Sequence, residues 1–486
     1  MDPTRRPATP EKMGDTRAEH LDVAMDLKGM EAGSISADDP VEEARMNRLL
    51  WKIDLRIVPI LGGLYVWCLI DRTNLGGARI AGIDEATGLS VGNRASIVIL
   101  VFFIGYIIFE LPSNMLLQKF GPHRWLSFLC FGWGITTLCI GFVRSWQVLA
   151  VLRVLLGVFE AGMFPGCIYL LSAWYRRAAV YFLMGSFCSS FANILAYGLT
   201  QIASDPERDG WKWIFIVEGA ITVAYAALCW FIIPDLPYDD KKNKWLRPEE
   251  KALVRKRLGG DTGAFEEGKI TWKVIRDTVK PPHMWGLALI SLTGAAGTYS
   301  FLLFLPIILR RGLEFSLQLS FLLTAPPAAF TAIYAFGIAF ISDKTGLRGP
   351  FIVLHCILTT IGLCMIAFVD AAPVRYAGAF FGQAGVNGML ITANSWGMNN
   401  VRGDAQRSVY AAWVVSWSSI GGIYSALVFR QQDAPNYRPG VIATLAITLA
   451  TLAASTAMIV YFKIANKQAQ QGKRVIFGEP DFRFTI

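Results

Sequence analysis

Four charged residues lie inside long apolar stretches of the sequence, where each needs a partner. Asp71 and Arg72 adjoin in the first stretch, and Arg153 and Glu160 lie in the fourth. A charged side chain within a membrane helix costs at least about 2.5 to 3.5 kcal/mol. Arg153 and Glu160 are separated by two helical turns and therefore share one face. If both stretches border one cavity, two acids and two bases can neutralise one another there.

Such a cluster is suited to coupling an anion to a proton. An acid whose arginine partner is taken by a substrate anion accepts a proton more readily, because a nearby guanidinium favours the ionised acid. Arginine suits the anion because it stays charged and presents two parallel donors. We therefore expect Arg72 and Arg153 to bind the substrate, and Asp71 and Glu160 to bind the proton. The alternative is a charge network that only holds helices together.

The composition indicates a membrane protein. Of 486 residues, 53% are hydrophobic and 17% are charged, whereas soluble domains carry about 25% charged residues. The mean hydropathy is +0.41. The eight cysteines contain no CxxC pair and are typical of apolar packing residues. These features exclude a disordered chain, a disulfide scaffold and a collagen-like fibre.

Twelve apolar stretches approach the roughly 20 residues that a helix needs to cross a bilayer. Their approximate bounds are 57–77, 95–116, 124–143, 147–172, 178–203, 211–233, 284–309, 318–341, 350–369, 374–399, 408–429 and 439–462. We predict an all-α integral membrane protein with twelve transmembrane helices in two six-helix bundles. This plan of parallel repeats is that of an alternating-access carrier.

The predicted segments follow from these spans. They are a polar N-terminal tail at 1–56, a first bundle at 57–233, a central loop at 234–283, a second bundle at 284–462 and a C-terminal tail at 463–486. Lys and Arg concentrate on one side, which predicts that both termini are cytoplasmic. The net charge of +9 therefore reflects topology rather than a nucleic-acid surface. We expect a monomer in the lipid bilayer of the plasma membrane.

Two loops six spans apart share a charged pattern. Residues 342–350 and 118–124 both fit D-R/K-x-G-x-R, with Gln118 in place of the acid in the first copy. Glycine permits a sharp turn, and an acid beside a base can lock one helix end to the next. A solvated turn is the alternative. The predicted gating residues, including two near the cytoplasmic end of span 2, are Glu110, Asn114, Lys119, Arg124, Asp343, Lys344 and Arg348.

The chain resembles the major facilitator superfamily, and within it the fungal anion:cation symporters, which include allantoate, nicotinate, pantothenate and biotin permeases. The likeness is carried by the stretches DRTNLG at 71–76, FELPSN at 109–114, GVFEAGMFPG at 157–166, WKWIF at 211–215 and WLRPEEK at 245–251. Sugar-acid symporters and vesicular anion transporters of this superfamily have the same Asp-Arg pair in span 1 and the same Arg-to-Glu spacing in span 4. There the acids are implicated in proton coupling, which implies the same for Asp71 and Glu160.

Other polar residues are weaker candidates for substrate binding. Tyr106 resembles a substrate-contacting tyrosine of the sugar-acid symporters, although core packing would also explain it. A polar face in span 10 either lines the cavity or packs against a neighbouring helix. It consists of Gln383, Asn387, Asn394 and Ser395. Glu218, in span 6, has no assigned role and could be structural.

Several kinds of site are excluded. Gly263, Gly268 and Lys269 imitate a phosphate-binding loop, but Ile270 follows in place of Ser or Thr, and no apolar strand precedes them. The four histidines are scattered and form no HExxH motif, so we predict no metal, no catalytic residue and no cofactor.

We therefore predict a transporter driven by the proton gradient and not an enzyme. Its predicted activity is uptake of a small organic anion, such as nicotinate, pantothenate, allantoate or an aromatic acid. An efflux carrier for a secondary metabolite or toxic compound and a transport-inactive nutrient sensor are the alternatives.

Overall fold

The computed structural model describes residues 40–174, 191–235, 245–259, 271–434, 436–476 and 482–486. The regular structure in these ranges is helical. The helices of the first half are α1 Pro40–Ile80, α2 Ile83–Thr87, α3 Arg94–Phe120, α4 Pro122–Ile140, α5 Trp146–Ala161, α6 Met163–Trp174, α7 Ala192–Thr200 and α8 Gly210–Ile232. The remaining helices are α9 Pro248–Gly259, α10 Trp272–Val279, α11 Pro282–Ile307, α12 Leu317–Leu322, α13 Ala325–Thr345, α14 Gly349–Phe368, α15 Ala372–Asn399, α16 Asp404–Val428 and α17 Arg438–Gln470. A π-helical turn, Ile308–Gly312, extends α11.

Nine helical stretches within the described ranges are long and apolar enough to cross a membrane. They are Arg48–Ile80, Arg94–Leu117, Trp146–Leu171, Gly210–Ile232, Pro282–Gly312, Leu317–Thr345, Gly349–Phe368, Ala405–Val428 and Arg438–Gln470. They correspond to nine of the twelve predicted spans, and the all-helical membrane architecture is confirmed.

The other three predicted spans, 3, 5 and 10, do not correspond to any of these nine stretches. Spans 3 and 10 are helices, α4 and α15, of 19 and 28 residues, but they are not among the nine. Span 5 lies partly outside the described residues, and α7 is its described part. The phosphate-loop imitation at 263–269 and the polar tail before residue 40 also lie outside them.

The described chain forms two compact units. The smaller one contains residues up to Ile53 together with the described part of 244–266. Within it, Lys52 Nζ donates to both carboxylate oxygens of Glu250, at 2.9 and 2.8 Å. The Glu250 side chain also accepts from the backbone amide of Arg247 at 2.8 Å, which caps the start of α9.

The larger unit holds the remaining helices. In its first half α3 packs along α5 and α4 along α8, while in its second half α14 packs on α15 and α11 on α16. Glycines bring α3 and α5 to backbone contact. A Cβ on Gly105 would lie 2.7 Å from the Val154 carbonyl oxygen, and one on Gly157 would lie 3.0 Å from the Tyr106 nitrogen. Small residues at such contacts are typical of membrane helix pairs.

The two loops with the shared charged pattern both turn at a glycine. Gly121, between α3 and α4, has φ of 87°, and Gly346, between α13 and α14, has φ of 67°. In the second loop Arg348 forms an ion pair with Asp343 and donates to Ser342 Oγ at 2.8 Å. The end of α13 is thereby tied to the start of α14. The side chains of Lys119, Arg124 and Lys344 are exposed, and the gating role of all these residues stays a prediction.

Candidate functional site

A cavity in the larger unit is bordered by α1, α3, α5 and α11. Its lining residues are Asp71, Arg72, Leu75, Ile99, Phe102, Phe103, Arg153, Leu156, Glu160, Tyr299 and Leu303. All four charged residues singled out from the sequence therefore line one cavity. Arg153 and Glu160 reach it from the same face of α5, as their spacing predicts.

Arg72 and Glu160 form an ion pair at this cavity. Arg72 Nε donates to Glu160 Oε1, and Cys68 Sγ donates to the same oxygen at 3.0 Å. Arg72 Nη1 donates to the Tyr299 hydroxyl at 2.9 Å, and the Arg72 guanidinium carbon lies 5.3 Å from the centre of the Tyr106 ring. Arg72 is thus held by α5 of the first half and α11 of the second half.

Arg153 has no comparable partner. Its side chain is 4% exposed, and its Nε and Nη2 make no hydrogen bond to any described residue. Burying a charged donor without a partner is costly. This guanidinium is therefore the group in the cavity best prepared to receive an anion, because a carboxylate supplies two acceptors that match two guanidinium donors.

Asp71 belongs to a second arrangement, with Asn74 and Glu218. Asn74 Nδ2 donates to Asp71 Oδ1 at 3.0 Å and also to Glu218 Oε2. The three side chains are 2%, 0% and 0% exposed. Asp71 Oδ2, Asn74 Oδ1 and Glu218 Oε1 have no hydrogen-bond partner among the described residues. We call Asp71, Arg72, Asn74, Arg153, Glu160 and Glu218 the central cluster.

Three of these groups were not predicted from the sequence. Asn74 had no assigned role, Cys68 was expected only to pack, and Glu218 was left unassigned. The position of Asn74, one turn after Asp71, is a signal that both face the same way. Tyr299 carries no comparable signal, because a single tyrosine in an apolar helix is also typical of packing.

The other predicted substrate residues lie apart from the cavity or at its edge. Tyr106 is buried beside Arg72. Asn387 Nδ2 donates to the Gln383 carbonyl oxygen and Asn394 Nδ2 to that of Leu390, both at 3.0 Å. These amides bond to their own helix, α15, which packs against α11, α13 and α14.

The structure does not bring this polar face of α15, including Ser395, to the cavity. Glu110 and Asn114 are half-buried on α3, beyond Tyr106 towards the Gly121 turn. Neither of them lines the cavity. Among the described residues, no group of three or more His, Cys, Asp and Glu side chains is placed to hold a metal ion.

A second buried charge cluster begins two turns after Arg72. Arg79 Nε donates to Asp84 Oδ1 at 3.0 Å, and Arg311 Nη1 lies 3.2 Å from Asp84 Oδ2. Arg79 Nη2 donates to Gln431 Oε1, and Arg311 Nη2 donates to the Arg79 carbonyl oxygen at 3.2 Å. We call Arg79, Asp84, Arg311 and Gln431 the Asp84 cluster. It joins α1 and α2 to the π-helical turn after α11.

Comparisons with known proteins agree with this architecture. Residues 61–426 match the sequence model of the Major Facilitator Superfamily. An uncharacterized transporter of Schizosaccharomyces pombe is 28% identical over 469 residues, which is 95% of this chain and 91% of that protein. The high-affinity nicotinic acid transporter of Saccharomyces cerevisiae is 28% identical over 460 residues, covering 92% and 83% respectively.

The fold is also similar to solved structures. The partially occluded, inward-open xylose transporter XylE from E. coli matches with a TM-score of 0.62, covering 84% of this chain and 99% of that chain. The sequence identity is 14%, so this likeness concerns the fold alone.

Proposed function

The chain belongs to the Major Facilitator Superfamily and is an integral membrane transporter of small solutes, not an enzyme, and from this premise we propose that it takes up a small organic carboxylate together with protons. The observation that carries the proposal is the Arg153 side chain, which lines the cavity and has two buried nitrogens without a hydrogen-bond partner among the described residues. A substrate carboxylate satisfies both nitrogens. The similarity to a nicotinic acid transporter supports a carboxylate and a place among the anion:cation symporters.

The proposed cycle uses the Arg72–Glu160 ion pair as the switch. A carboxylate that binds Arg153 competes for Arg72, and Glu160 then loses its cation partner and favours its protonated form. Tyr106 and Tyr299 flank the Arg72 guanidinium and hold it at the cavity. Proton release on the other side lets Glu160 recover Arg72 and displaces the substrate.

The surrounding architecture supports alternating access. We propose that residues 57–233 and 284–462 are the two bundles that rock against each other, with 234–283 as their cytoplasmic connection. Asp343 and Arg348 stabilise one of the two states through their ion pair. We place a monomer in the plasma membrane with both termini in the cytoplasm.

The test is an uptake screen in cells that lack their own carboxylate permeases. Labelled nicotinate, pantothenate, allantoate and an aromatic acid are supplied at acidic and at neutral pH, with surface abundance measured in parallel. We expect one anion to enter, faster at acidic pH, and Glu160→Gln to abolish the pH dependence. Asp209→Asn is the matched control, because the Asp209 side chain is half-exposed and pairs with Lys212. Absence of uptake at both pH values, with protein at the surface, would favour efflux or sensing.

A further inference from the structure

We propose that Asp71 and Glu218 form one proton-binding site, in which the two carboxyl groups share a single proton that is carried with the substrate. The site itself is independent of any substrate, whereas its part in coupling rests on the symport function proposed above. Glu218 then has a defined role, although it does not line the cavity.

The first observation is the geometry around Asn74. Its amide nitrogen donates to one oxygen of each carboxyl group, so the two acids lie on either side of one NH₂ group. Both acids are almost completely buried, and the second oxygen of each has no donor among the described residues. A proton on one carboxyl group converts an unpartnered acceptor into a donor, which removes part of this deficit.

The second observation is the charge of the central cluster. It contains three acids, Asp71, Glu160 and Glu218, but only two arginines, Arg72 and Arg153. Glu160 is the acid whose charge is paired, because Arg72 and Cys68 both donate to it. The excess negative charge therefore falls on Asp71 and Glu218. Two buried carboxylates that face each other cannot both be ionised without a large penalty, so one proton binds there.

The groups around the pair decide when the proton is released. The titratable or charged residues outside the pair that interact with Asp71 are Cys68, Cys130, Arg153 and Glu160. Arg153 is the arginine among them; it lacks hydrogen-bond partners at Nε and Nη2 and lines the same cavity as Asp71.

Arg153 thereby links the proton to the substrate. While a substrate carboxylate occupies Arg153, the guanidinium charge is neutralised and the pair retains its proton. When the substrate leaves, the Arg153 charge acts on Asp71 and favours release of the proton to water. The proton is taken up from water on one side and returned to water on the other, and no covalent bond of the substrate changes.

The site can be tested on the purified full-length protein without a substrate, by infrared spectroscopy during a pH titration. A protonated carboxyl group has a C=O band separate from that of a carboxylate. We expect one such band to titrate in the wild type and to be lost in both Glu218→Gln and Asp71→Asn. Glu218→Asp keeps a carboxyl group at this position, so the band should return with a shifted midpoint.

Asp209→Asn is the control at the start of the same helix. The hydrogen bond and ion pair with Lys212 lower the pKa of Asp209, so this carboxyl group is ionised throughout the titration near neutral pH and the band should not change. A band that persists unchanged in Glu218→Gln and Asp71→Asn overturns the proposal. So does a band that appears only when sodium is replaced by choline, because the pair would then hold a metal cation.

Transport measurements separate this inference from the proposed function. With the anion identified in the uptake screen, Glu218→Gln in proteoliposomes should exchange labelled for unlabelled substrate at close to the wild-type rate. When only a pH gradient is applied, it should accumulate less substrate than the wild type, because the proton of Glu160 is still carried and that of the Asp71–Glu218 pair is not. Accumulation at the wild-type level by Glu218→Gln overturns the coupling role. If the wild type transports no anion, the symport function fails, and the infrared result still decides whether the pair binds a proton.

Discussion

The central cluster and the Asp84 cluster each contain a buried carboxylate paired with an arginine, and both begin on α1 and join the two halves of the molecule. They differ in how completely their charges are paired. In the Asp84 cluster each carboxylate oxygen of Asp84 has an arginine partner, and Arg79 also donates to Gln431. In the central cluster Arg153, Asp71 and Glu218 all keep unpartnered atoms.

The difference in pairing indicates which cluster contributes to stability and which to binding. A fully satisfied polar network rigidifies the elements it joins, whereas an incompletely satisfied one carries an energetic penalty that a bound ligand can remove. The Asp84 cluster is therefore expected to contribute to stability, and the central cluster to binding. Substitutions in the Asp84 cluster should therefore lower the melting temperature, and substitutions in the central cluster should lower uptake.

The largest effect on stability is expected from Asp84→Asn. Removing this carboxylate leaves the buried Arg79 guanidinium without its anion, while the half-buried Arg311 keeps only Glu85; breaking a buried ion pair in this way costs about 3–5 kcal/mol. Thermal unfolding of the detergent-solubilised protein should shift to a clearly lower temperature. An unchanged melting temperature would show that the Asp84 cluster does not contribute to the stability of the fold.

Arg153→Gln should lower uptake without lowering the melting temperature. Loss of the charged donors should lower uptake at subsaturating substrate by about tenfold to a hundredfold, the equivalent of about 1.5–3 kcal/mol. Its melting temperature should be unchanged or higher, because an unpartnered buried charge has been removed. Arg153→Lys should restore part of the uptake, since it keeps the charge but not the two-pronged geometry. If Arg153→Gln lowers both the melting temperature and uptake, Arg153 contributes to the stability of the fold rather than to substrate binding alone.

A smaller effect is expected from Tyr299→Phe. The hydroxyl accepts one hydrogen bond from Arg72 at 2.9 Å, and the loss of one bond to a charged group is worth about 1.5 kcal/mol or somewhat more. Uptake kinetics should show a KM change of roughly tenfold with the pH dependence retained. Loss of the pH dependence would mean that Tyr299 takes part in proton transfer and does more than orient Arg72.

The smallest effect is expected from Asp343→Asn. Its ion pair with Arg348 resembles the buried pairs in composition, but the Asp343 side chain is 70% exposed. Exposed ion pairs contribute about 0–1 kcal/mol, so the melting temperature should change by little. Added salt should reduce even this small difference in melting temperature between the variant and the wild type, because it screens exposed charges. A loss as large as that of Asp84→Asn would show that burial is not what separates the strong pairs from the weak ones.

Much of the central cluster could be predicted from the sequence, because charges are rare in apolar helices and a seven-residue spacing fixes one helical face. The pairing could not be predicted. Which acid meets Arg72 depends on the rotation and tilt of α1 against α5, and these are set by packing between helices. The contact of Glu218 with Asn74 could not be predicted either, because Glu218 lies on α8, far from Asp71 and Asn74 in sequence, and helix packing alone brings them together. The polar face of α15 was visible in the sequence, but the amides of Asn387 and Asn394 bond to their own backbone.

The glycine contact between α3 and α5 has a mechanical consequence. Gly105 and Gly157 leave no room for side chains, so these two helices pack backbone to backbone and we expect them to move as one plate. Tyr106 and Arg153 are then expected to keep their spacing during transport. We expect the displacement to be taken up where the plate meets its neighbours, and the ion pair between Glu160 on α5 and Arg72 on α1 lies on that boundary.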